Sequence, residues 1–207
     1  MRFEYVSWSR FASLCGVLYR RIDADGYKPD LIVAVTRGGY PVARVLADYF
    51  GVLDLVTLKI EHYRGRDKMR SAVVRYPLPL DIPGRRVLLV DDVCDSGDTF
   101  AVALRHLDAK GPPAALRTAV LHHKQTSGVT PDYHARRVLK WRWITYPWAL
   151  VEDLTSLVAR MEGRPETVEA LGERLAAVEG LELPSGVLEE VGPIVLARAR
   201  EADINRL

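Results

Sequence analysis

The segment Val87–Thr99 constrains the fold of this chain more than any other part of the sequence. It reads Val-Leu-Leu-Val-Asp-Asp-Val-Cys-Asp-Ser-Gly-Asp-Thr, so four apolar residues run directly into two carboxylates and then into a turn of small residues. Such an uninterrupted apolar run predicts a strand buried on both faces, as in a parallel sheet. Helical periodicity follows over Phe100–Leu107. Because ligands bind at the carboxyl ends of strands in open α/β sheets, we expect the functional site at Asp91 and Asp92.

Apolar runs alternate with helical periodicity along most of the chain, which predicts an α/β fold with a central parallel sheet flanked by helices. The predicted strands are Leu31–Thr36, Val52–Ile60, Ser71–Tyr76, Val87–Val90, Leu116–Leu121 and Arg137–Trp141. The predicted helices run from Ser7 or Ser9 toward Ile22, over Pro41–Tyr49, over Phe100–Leu107, over Pro165–Val178 and from Val187 onward. The polar stretch Glu61–Arg70 predicts a mobile loop.

The last part of the chain differs in composition from the rest. Residues 1–162 hold 24 Lys and Arg against 18 Asp and Glu, whereas residues 163–207 hold 5 against 9 and no aromatic residue. We therefore predict a domain over residues 1–162 and a helical C-terminal extension over residues 163–207. Val168, Leu171, Leu175 and Val178 recur on one helix face, which should pack on the body or on a second subunit. We also expect a homo-oligomer.

Composition excludes several classes of protein. The apolar runs fall short of the ~18 residues that a membrane span needs, and residues 1–10 lack the apolar stretch of a secretory signal. Cys15 and Cys94 have no partner at metal-ligand spacing. No run of five Lys or Arg occurs, which argues against nucleic acid as a partner. We expect a cytoplasmic protein that binds an anionic small molecule and contacts no membrane.

The turn that follows Asp91 and Asp92 suits a phosphorylated sugar. Ser96, Gly97 and Thr99 place hydroxyls and backbone N–H groups at the start of a predicted helix, where the helix dipole favours a phosphate. The two carboxylates accept hydrogen bonds from sugar hydroxyls or hold Mg²⁺ partly through water. A ribose that carries a 5′-phosphate meets both requirements.

Three segments resemble motifs of the type I phosphoribosyltransferases. Val87–Thr99 is similar to their phosphoribosyl pyrophosphate (PRPP) motif, and Ala34–Gly39 resembles their pyrophosphate-binding turn. Trp143–Trp148, Trp-Ile-Thr-Tyr-Pro-Trp, is similar to the purine segment of bacterial xanthine-guanine phosphoribosyltransferase and of archaeal enzymes that use hypoxanthine, guanine or xanthine. The resemblance covers about residues 6–152. It implies the type I fold, in which a small hood accompanies the central sheet.

On the PRPP side, the resemblance assigns Asp91 and Asp92 to the ribose hydroxyls and to Mg²⁺ as a cofactor. The residues implied for the 5′-phosphate are Ser96, Gly97, Asp98 and Thr99. The residues implied for pyrophosphate are Thr36, Arg37 and Gly38, and the Thr36–Arg37 peptide is expected in the cis form. Asp98 stands where relatives carry Gly or Lys, so its carboxylate must either point away from a bound phosphate or weaken the binding of that phosphate.

On the base side, the resemblance makes Asp95 a catalytic residue that faces purine N7, beside Asp91 and Asp92. Lys124 would face the 6-oxygen, and Trp143 and Ile144 would bind the base. Tyr63 would belong to a flexible loop that closes over the reaction. In addition, Ala149 stands where the bacterial enzyme carries Asp. We assign Trp141 and Cys94 to packing.

The resemblance implies an enzyme of purine salvage that transfers the 5-phosphoribosyl group from PRPP to a 6-oxopurine and releases pyrophosphate. One alternative is adenine phosphoribosyltransferase. Another is a regulator that binds PRPP and has lost catalysis. A response-regulator receiver would share the strand Val87–Asp92, but the candidate phosphoacceptor Asp132 follows the turn Thr130–Pro131 rather than an apolar strand.

Overall fold

The computed structural model describes residues 2–64 and 70–204, which form eight strands and six helices. The strands are β1 (Phe3–Tyr5), β2 (Leu31–Thr36), β3 (Leu55–Arg64), β4 (Arg70–Tyr76), β5 (Arg86–Cys94), β6 (Ala115–Lys124), β7 (Tyr133–Val138) and β8 (Trp143–Thr145). The helices are α1 (Trp8–Ala24), α2 (Gly39–Phe50), α3 (Asp98–Asp108), α4 (Leu150–Val158), α5 (Val168–Glu179) and α6 (Ser185–Ile204). No helix in these ranges is both long and apolar enough to cross a membrane.

The larger sheet has the strand order β4-β3-β2-β5-β6-β7. Strands β3 and β4 pair antiparallel, and the other neighbours pair parallel, which confirms the expected α/β class. Strand β5 lies inside the sheet, and its residues Val87–Val90 are fully buried. Burial on both faces explains why this part of the sequence is continuously apolar.

The register of the parallel strands brings their carboxyl ends to one edge of the sheet. Val90 of β5 aligns with Ala34 of β2 and with Ala119 of β6. Strand β5 continues past these pairs, and Cys94 aligns with His123. The acidic residues of β5 therefore lie beside the end of β2 and the end of β6.

The chain divides into two compact units, which we describe separately. The first unit is Ala12–Trp141 and contains the six-stranded sheet. The second joins Met1–Phe11 to Arg142–Leu207. The boundary expected after residue 162 falls inside the second unit, because helix α4 shares an apolar core with α5 and α6.

The second unit is built from a short parallel pair and three helices. Strand β1 pairs with β8, with Phe3 opposite Trp143, and the N–H of Val6 donates to the Thr145 carbonyl over 2.9 Å. The helices share an apolar core, whose buried members are Leu150, Leu154, Leu157, Val158, Leu171, Leu175, Leu181, Val195, Leu196 and Ala199. Leu171 and Leu175 belong to the apolar stripe predicted for the first helix of the C-terminal extension, which is α5, and they are buried against α4 and α6. The side chain of Val178, another residue of this stripe, lies outside the described part.

Several predicted elements differ from the observed ones. Strand β3 extends to Arg64, into the stretch expected to be a loop, because it pairs with β4 through that residue. The last strand of the large sheet is Tyr133–Val138 rather than Arg137–Trp141. It lies at the sheet edge and alternates buried and exposed residues, so an apolar run is a poor guide to its position. Helix α4 was not predicted.

We expect Leu175→Ala to lower the free energy of unfolding by about 2–5 kcal/mol, because Leu175 is fully buried between the helices of the second unit. Urea unfolding followed by circular dichroism measures the change. Leu53→Ala is the control, since Leu53 is 97% exposed and its truncation should change stability by less than about 0.5 kcal/mol. Equal stabilities for the two variants would contradict the observed helix packing.

Candidate active site

A tight turn after β2 lies directly against the acidic end of β5. A Cβ atom added to Gly38 would lie 2.2 Å from Oδ2 of Asp92, and one added to Gly39 would lie 2.4 Å from the carbonyl oxygen of Val90. A side chain at position 39 would collide with the backbone of β5, and one at position 38 would displace the Asp92 carboxylate, so both glycines allow a close approach of the backbone. The Thr36–Arg37 peptide is cis, as the resemblance implied. The structure therefore brings the predicted pyrophosphate turn and the acidic pair together.

The two carboxylates of the pair differ in environment. Asp91 is buried, and its Oδ1 accepts a hydrogen bond of 2.9 Å from the backbone N–H of Asp92. Burial raises the pKa of Asp91 well above its ordinary value, and the adjacent charge of Asp92 raises it further. Asp92 is partly exposed. The pair thus combines one desolvated acid with one that a ligand reaches from solvent.

The predicted phosphate loop connects β5 to α3. Gly97 has a φ of 95°, and a Cβ there would lie 2.9 Å from Val129, so this turn requires glycine. The N–H of Gly128 donates to the Ser96 carbonyl over 2.8 Å and holds the loop in place. Helix α3 begins at Asp98 without a side-chain cap. Its first backbone N–H groups therefore face the loop, as in helix N-termini that bind phosphate.

Polar side chains of the loop already have partners. The Ser96 hydroxyl donates to Oδ2 of Asp98 over 2.8 Å, so the Asp98 carboxylate is folded back onto the loop. Oγ1 of Thr99 lies 3.0 Å from Nε2 of His62 on β3. His62 lies in the stretch that the sequence predicts as a loop, and no predicted role falls on it. The two residues are 37 positions apart along the chain, so no local sequence signal marks the contact.

The base-binding candidates Asp95 and Lys124 form an ion pair. Lys124, which is 3% exposed, donates from Nζ to Oδ2 of Asp95 over 2.7 Å. Trp141 donates from its indole Nε1 to the other carboxylate oxygen over 3.1 Å, and Nζ of Lys124 lies 4.4 Å from its ring centroid. The assignment of Trp141 to the core was wrong, because it is 41% exposed and contacts both charged groups.

A pocket of about 250 Å³ lies at the carboxyl end of β5. It is lined by His62, Asp91, Asp92, Val93, Cys94, Asp95, Ser96, Gly97, Thr99 and Phe100. Acidic groups lie along one part of the lining and the phosphate loop along another. This arrangement suits a ligand that carries both hydroxyls and a phosphate.

Cys94 contributes to packing, as expected, rather than to chemistry. Its Sγ lies 3.1 Å from the Ser127 hydroxyl oxygen and 3.6 Å from the Val129 carbonyl. Burial raises the pKa of this thiol, which disfavours the reactive thiolate. The residue therefore holds the segment that follows β6 against the phosphate loop.

The remaining predicted residues belong to other elements. Trp143 and Ile144 are on β8 in the second unit, where Trp143 is 40% exposed and Ile144 is buried. There Trp143 lines a separate pocket of about 310 Å³ with Phe3 and Asp153. Tyr63 belongs to β3, but its side chain lies outside the described residues.

The donor set fits a metal ion that is shared with a substrate. The described residues contain no group of three or more His, Cys, Asp or Glu side chains that could hold a metal alone. Mg²⁺, however, is commonly bound through one or two carboxylates together with substrate phosphates and water. Asp91 and Asp92 supply such carboxylates beside the pyrophosphate turn.

Comparison with known proteins agrees with this geometry. The family model for the phosphoribosyl transferase domain matches residues 4–153. The chain belongs to this family. That model matches no part of the chain beyond residue 153, where α5 and α6 follow.

Three relatives illustrate the range of the family. The bifunctional protein PyrR of Corynebacterium diphtheriae is 32% identical over 162 residues, which cover 73% of this chain and 80% of that protein. The xanthine-guanine phosphoribosyltransferase of Cereibacter sphaeroides is 26% identical over 150 residues, 70% of this chain and 85% of the relative. The crystal structure of a purine phosphoribosyltransferase from Pyrococcus horikoshii superimposes with a TM-score of 0.63 at 31% identity and covers 72% of this chain and 94% of that one.

We expect Asp91→Asn to stabilise the protein at pH 7. The unfolded chain releases the Asp91 proton near the ordinary pKa of 3.8, whereas the folded protein retains it to higher pH. Stability is therefore lost as the pH rises from that value toward the raised pKa, and asparagine removes the loss. The gain should be measurable at pH 7 and should shrink at pH 4.

Urea unfolding of the wild type and of Asp91→Asn at both pH values measures this difference. Asp81→Asn changes an exposed carboxyl outside the site and should show no such gain. If Asp91→Asn were no more stable than the wild type at pH 7, burial of Asp91 would not cost the folded protein stability.

Proposed function

We propose that the protein transfers the 5-phosphoribosyl group from PRPP to a 6-oxopurine, with release of pyrophosphate and with Mg²⁺ as cofactor, in purine salvage. The observation that carries the proposal is the Asp95–Lys124 pair. It presents a hydrogen-bond acceptor and a donor side by side, 2.7 Å apart, next to the predicted phosphate loop.

The PRPP side of the proposal follows from the edge formed by β2 and β5. The backbone N–H groups at the start of α3 and the loop hydroxyls bind the 5′-phosphate. Asp91 and Asp92 accept hydrogen bonds from the ribose hydroxyls and lie beside the turn at Gly38. Arg37 and the turn amides bind the pyrophosphate, where a cation and N–H groups stabilise the charge of the leaving group. Bound Mg²⁺ would neutralise phosphate charge at this place.

The base side follows from hydrogen-bond complementarity. A 6-oxopurine carries N7 and O6 on one edge, so N7–H donates to Asp95 while O6 accepts from Lys124. Lysine has only donors at neutral pH, and the 6-amino group of adenine also donates. Adenine is therefore mismatched at Lys124. The resemblance also assigns Trp143 and Ile144 to the base, and stacking on an aromatic ring does not distinguish purines.

The reaction exchanges two bonds at the anomeric carbon of the ribose. As N9 of the purine forms its bond to this carbon, the bond to pyrophosphate breaks and the leaving group takes the electron pair. Asp95 accepts the proton that N7 releases. The negative charge of the acidic pair stabilises the positive character that develops on the ribose in the transition state.

Turnover of hypoxanthine, guanine, xanthine, adenine and uracil with PRPP and Mg²⁺ tests this function. We expect hypoxanthine or guanine to be the best substrate and adenine to be at least about a hundredfold poorer in kcat/KM. The kcat/KM for xanthine can lie anywhere between these values. Asp95→Asn should lower kcat more than it raises the KM for PRPP.

The assay also separates the alternatives. Adenine turnover as fast as that of hypoxanthine would overturn the assignment of Lys124 and favour an adenine enzyme. Preference for uracil would exclude the purine proposal. PRPP binding without turnover of any base would favour the non-catalytic regulator.

We expect Asp92→Asn to raise the KM for PRPP and the Mg²⁺ concentration needed for half-maximal rate, each by about tenfold, because a charged acceptor is lost. Steady-state rates over a Mg²⁺ series measure both effects. Asp108→Asn, at the exposed end of α3, is the matched control and should change neither value. Unchanged PRPP kinetics in Asp92→Asn would remove this residue from the site.

A further inference from the structure

Trp141 contacts both members of the Asp95–Lys124 pair with different parts of one indole ring. Its N–H group donates to Oδ1 of Asp95, while Lys124 donates to Oδ2. The ammonium of Lys124 also lies over the indole face, 4.4 Å from the ring centroid. Each oxygen of the carboxylate therefore has its own donor, and the same ring contacts both charges.

This arrangement matches the charge distribution of the ring. An indole has a negative face and a positive edge, so its face attracts an ammonium and its N–H attracts a carboxylate. A phenyl ring would offer the face without the hydrogen-bond donor. An aliphatic side chain would offer neither. Tryptophan serves both charges of the pair with one rigid ring.

The backbone near Trp141 holds the ring at this place. Strand β7 ends at Val138, and the carbonyl of that residue accepts a 3.0 Å hydrogen bond from the N–H of Gln125, which directly follows Lys124. The segment that leads to Trp141 is thereby attached to the end of β6. The position of the ring thus depends on the same strand ends as the position of Lys124.

Asp95 needs such support because its side chain is 43% exposed. It stands in the loop between β5 and α3, where an unsupported carboxylate exchanges among rotamers. Two donors on separate oxygens fix the plane of the carboxylate. A carboxylate has about four lone-pair sites, so a site remains to accept from a purine N7–H group. Lys124 likewise keeps two of its three N–H donors.

We propose that Trp141 is a positioning residue that sets the orientation of Asp95 and Lys124 for recognition of the base, an inference that rests on the proposed purine transfer. Trp141 acts through the pair rather than on PRPP. Its loss should therefore affect the base and the chemical step and leave PRPP binding unchanged. If Trp141 had a merely structural role, its loss would impair the kinetics of the base and of PRPP alike.

Steady-state kinetics of three variants test this separation. Trp141→Phe keeps the ring face and removes the N–H donor, so kcat/KM for hypoxanthine should fall about tenfold while the KM for PRPP stays within about twofold. Trp141→Leu also removes the aromatic face, so kcat/KM for hypoxanthine should fall about a hundredfold. Trp8→Phe removes an exposed indole outside the site and should match the wild type.

Nuclear magnetic resonance of the ¹⁵N-labelled protein tests the contact without any substrate. Trp141→Phe assigns the indole N–H signal of Trp141 among the four tryptophan signals. In Asp95→Ala, this signal should shift and exchange faster with solvent, because its acceptor is gone. The signals of the other three tryptophans should move less.

Each outcome decides the proposal. An unchanged Trp141 signal in Asp95→Ala, or a Trp141→Phe enzyme with wild-type kinetics, overturns the positioning role while the transfer activity stands. If a Trp141 variant loses kcat/KM equally for hypoxanthine and for PRPP, the positioning role is also overturned, since equal losses indicate a general structural defect. A wild-type protein that turns over no base contradicts the proposed function itself, and the role in base recognition falls with it.

Discussion

The parallel pairing of β5 between β2 and β6 is the constraint on which the candidate site depends. It brings the turn at Gly38, the acidic pair and Lys124 to the carboxyl edge of one sheet. The approach of the turn is so close that Asp92 occupies the space that a side chain at position 38 would need. Because the strands are buried on both faces, this edge is held by a closely packed core.

Function in such a site competes with stability. Asp91 ends an apolar strand and is buried beside a second carboxylate, which raises its pKa and costs folding free energy at neutral pH. Neutral residues would pack there at lower cost. The ion pair of Lys124 with Asp95 differs, because the buried ammonium has a carboxylate and an aromatic face as partners. Buried charges are tolerated when they are paired in this way.

Much of the site could be predicted from the sequence because its parts are local. Strand, turn and helix signals place the acidic pair and the phosphate loop, and β2 has the predicted bounds Leu31–Thr36. Residues that join the site through strand pairing could not be predicted. His62 reaches Thr99 across the sheet, and Trp141 reaches Asp95 from the segment after β7. Nothing in their neighbouring residues distinguishes them from a loop histidine and a core tryptophan.

The sequence by itself determined the α/β class, the family and the order of the phosphate-binding and acidic segments. These follow from periodicity and from contiguous motifs, which depend on neighbours along the chain. Only the tertiary structure decided that α4 packs with α5 and α6 and that the indole of Trp141 contacts both Asp95 and Lys124. Such contacts join residues that are distant along the chain, so their selection depends on the register of strands and the packing of whole helices.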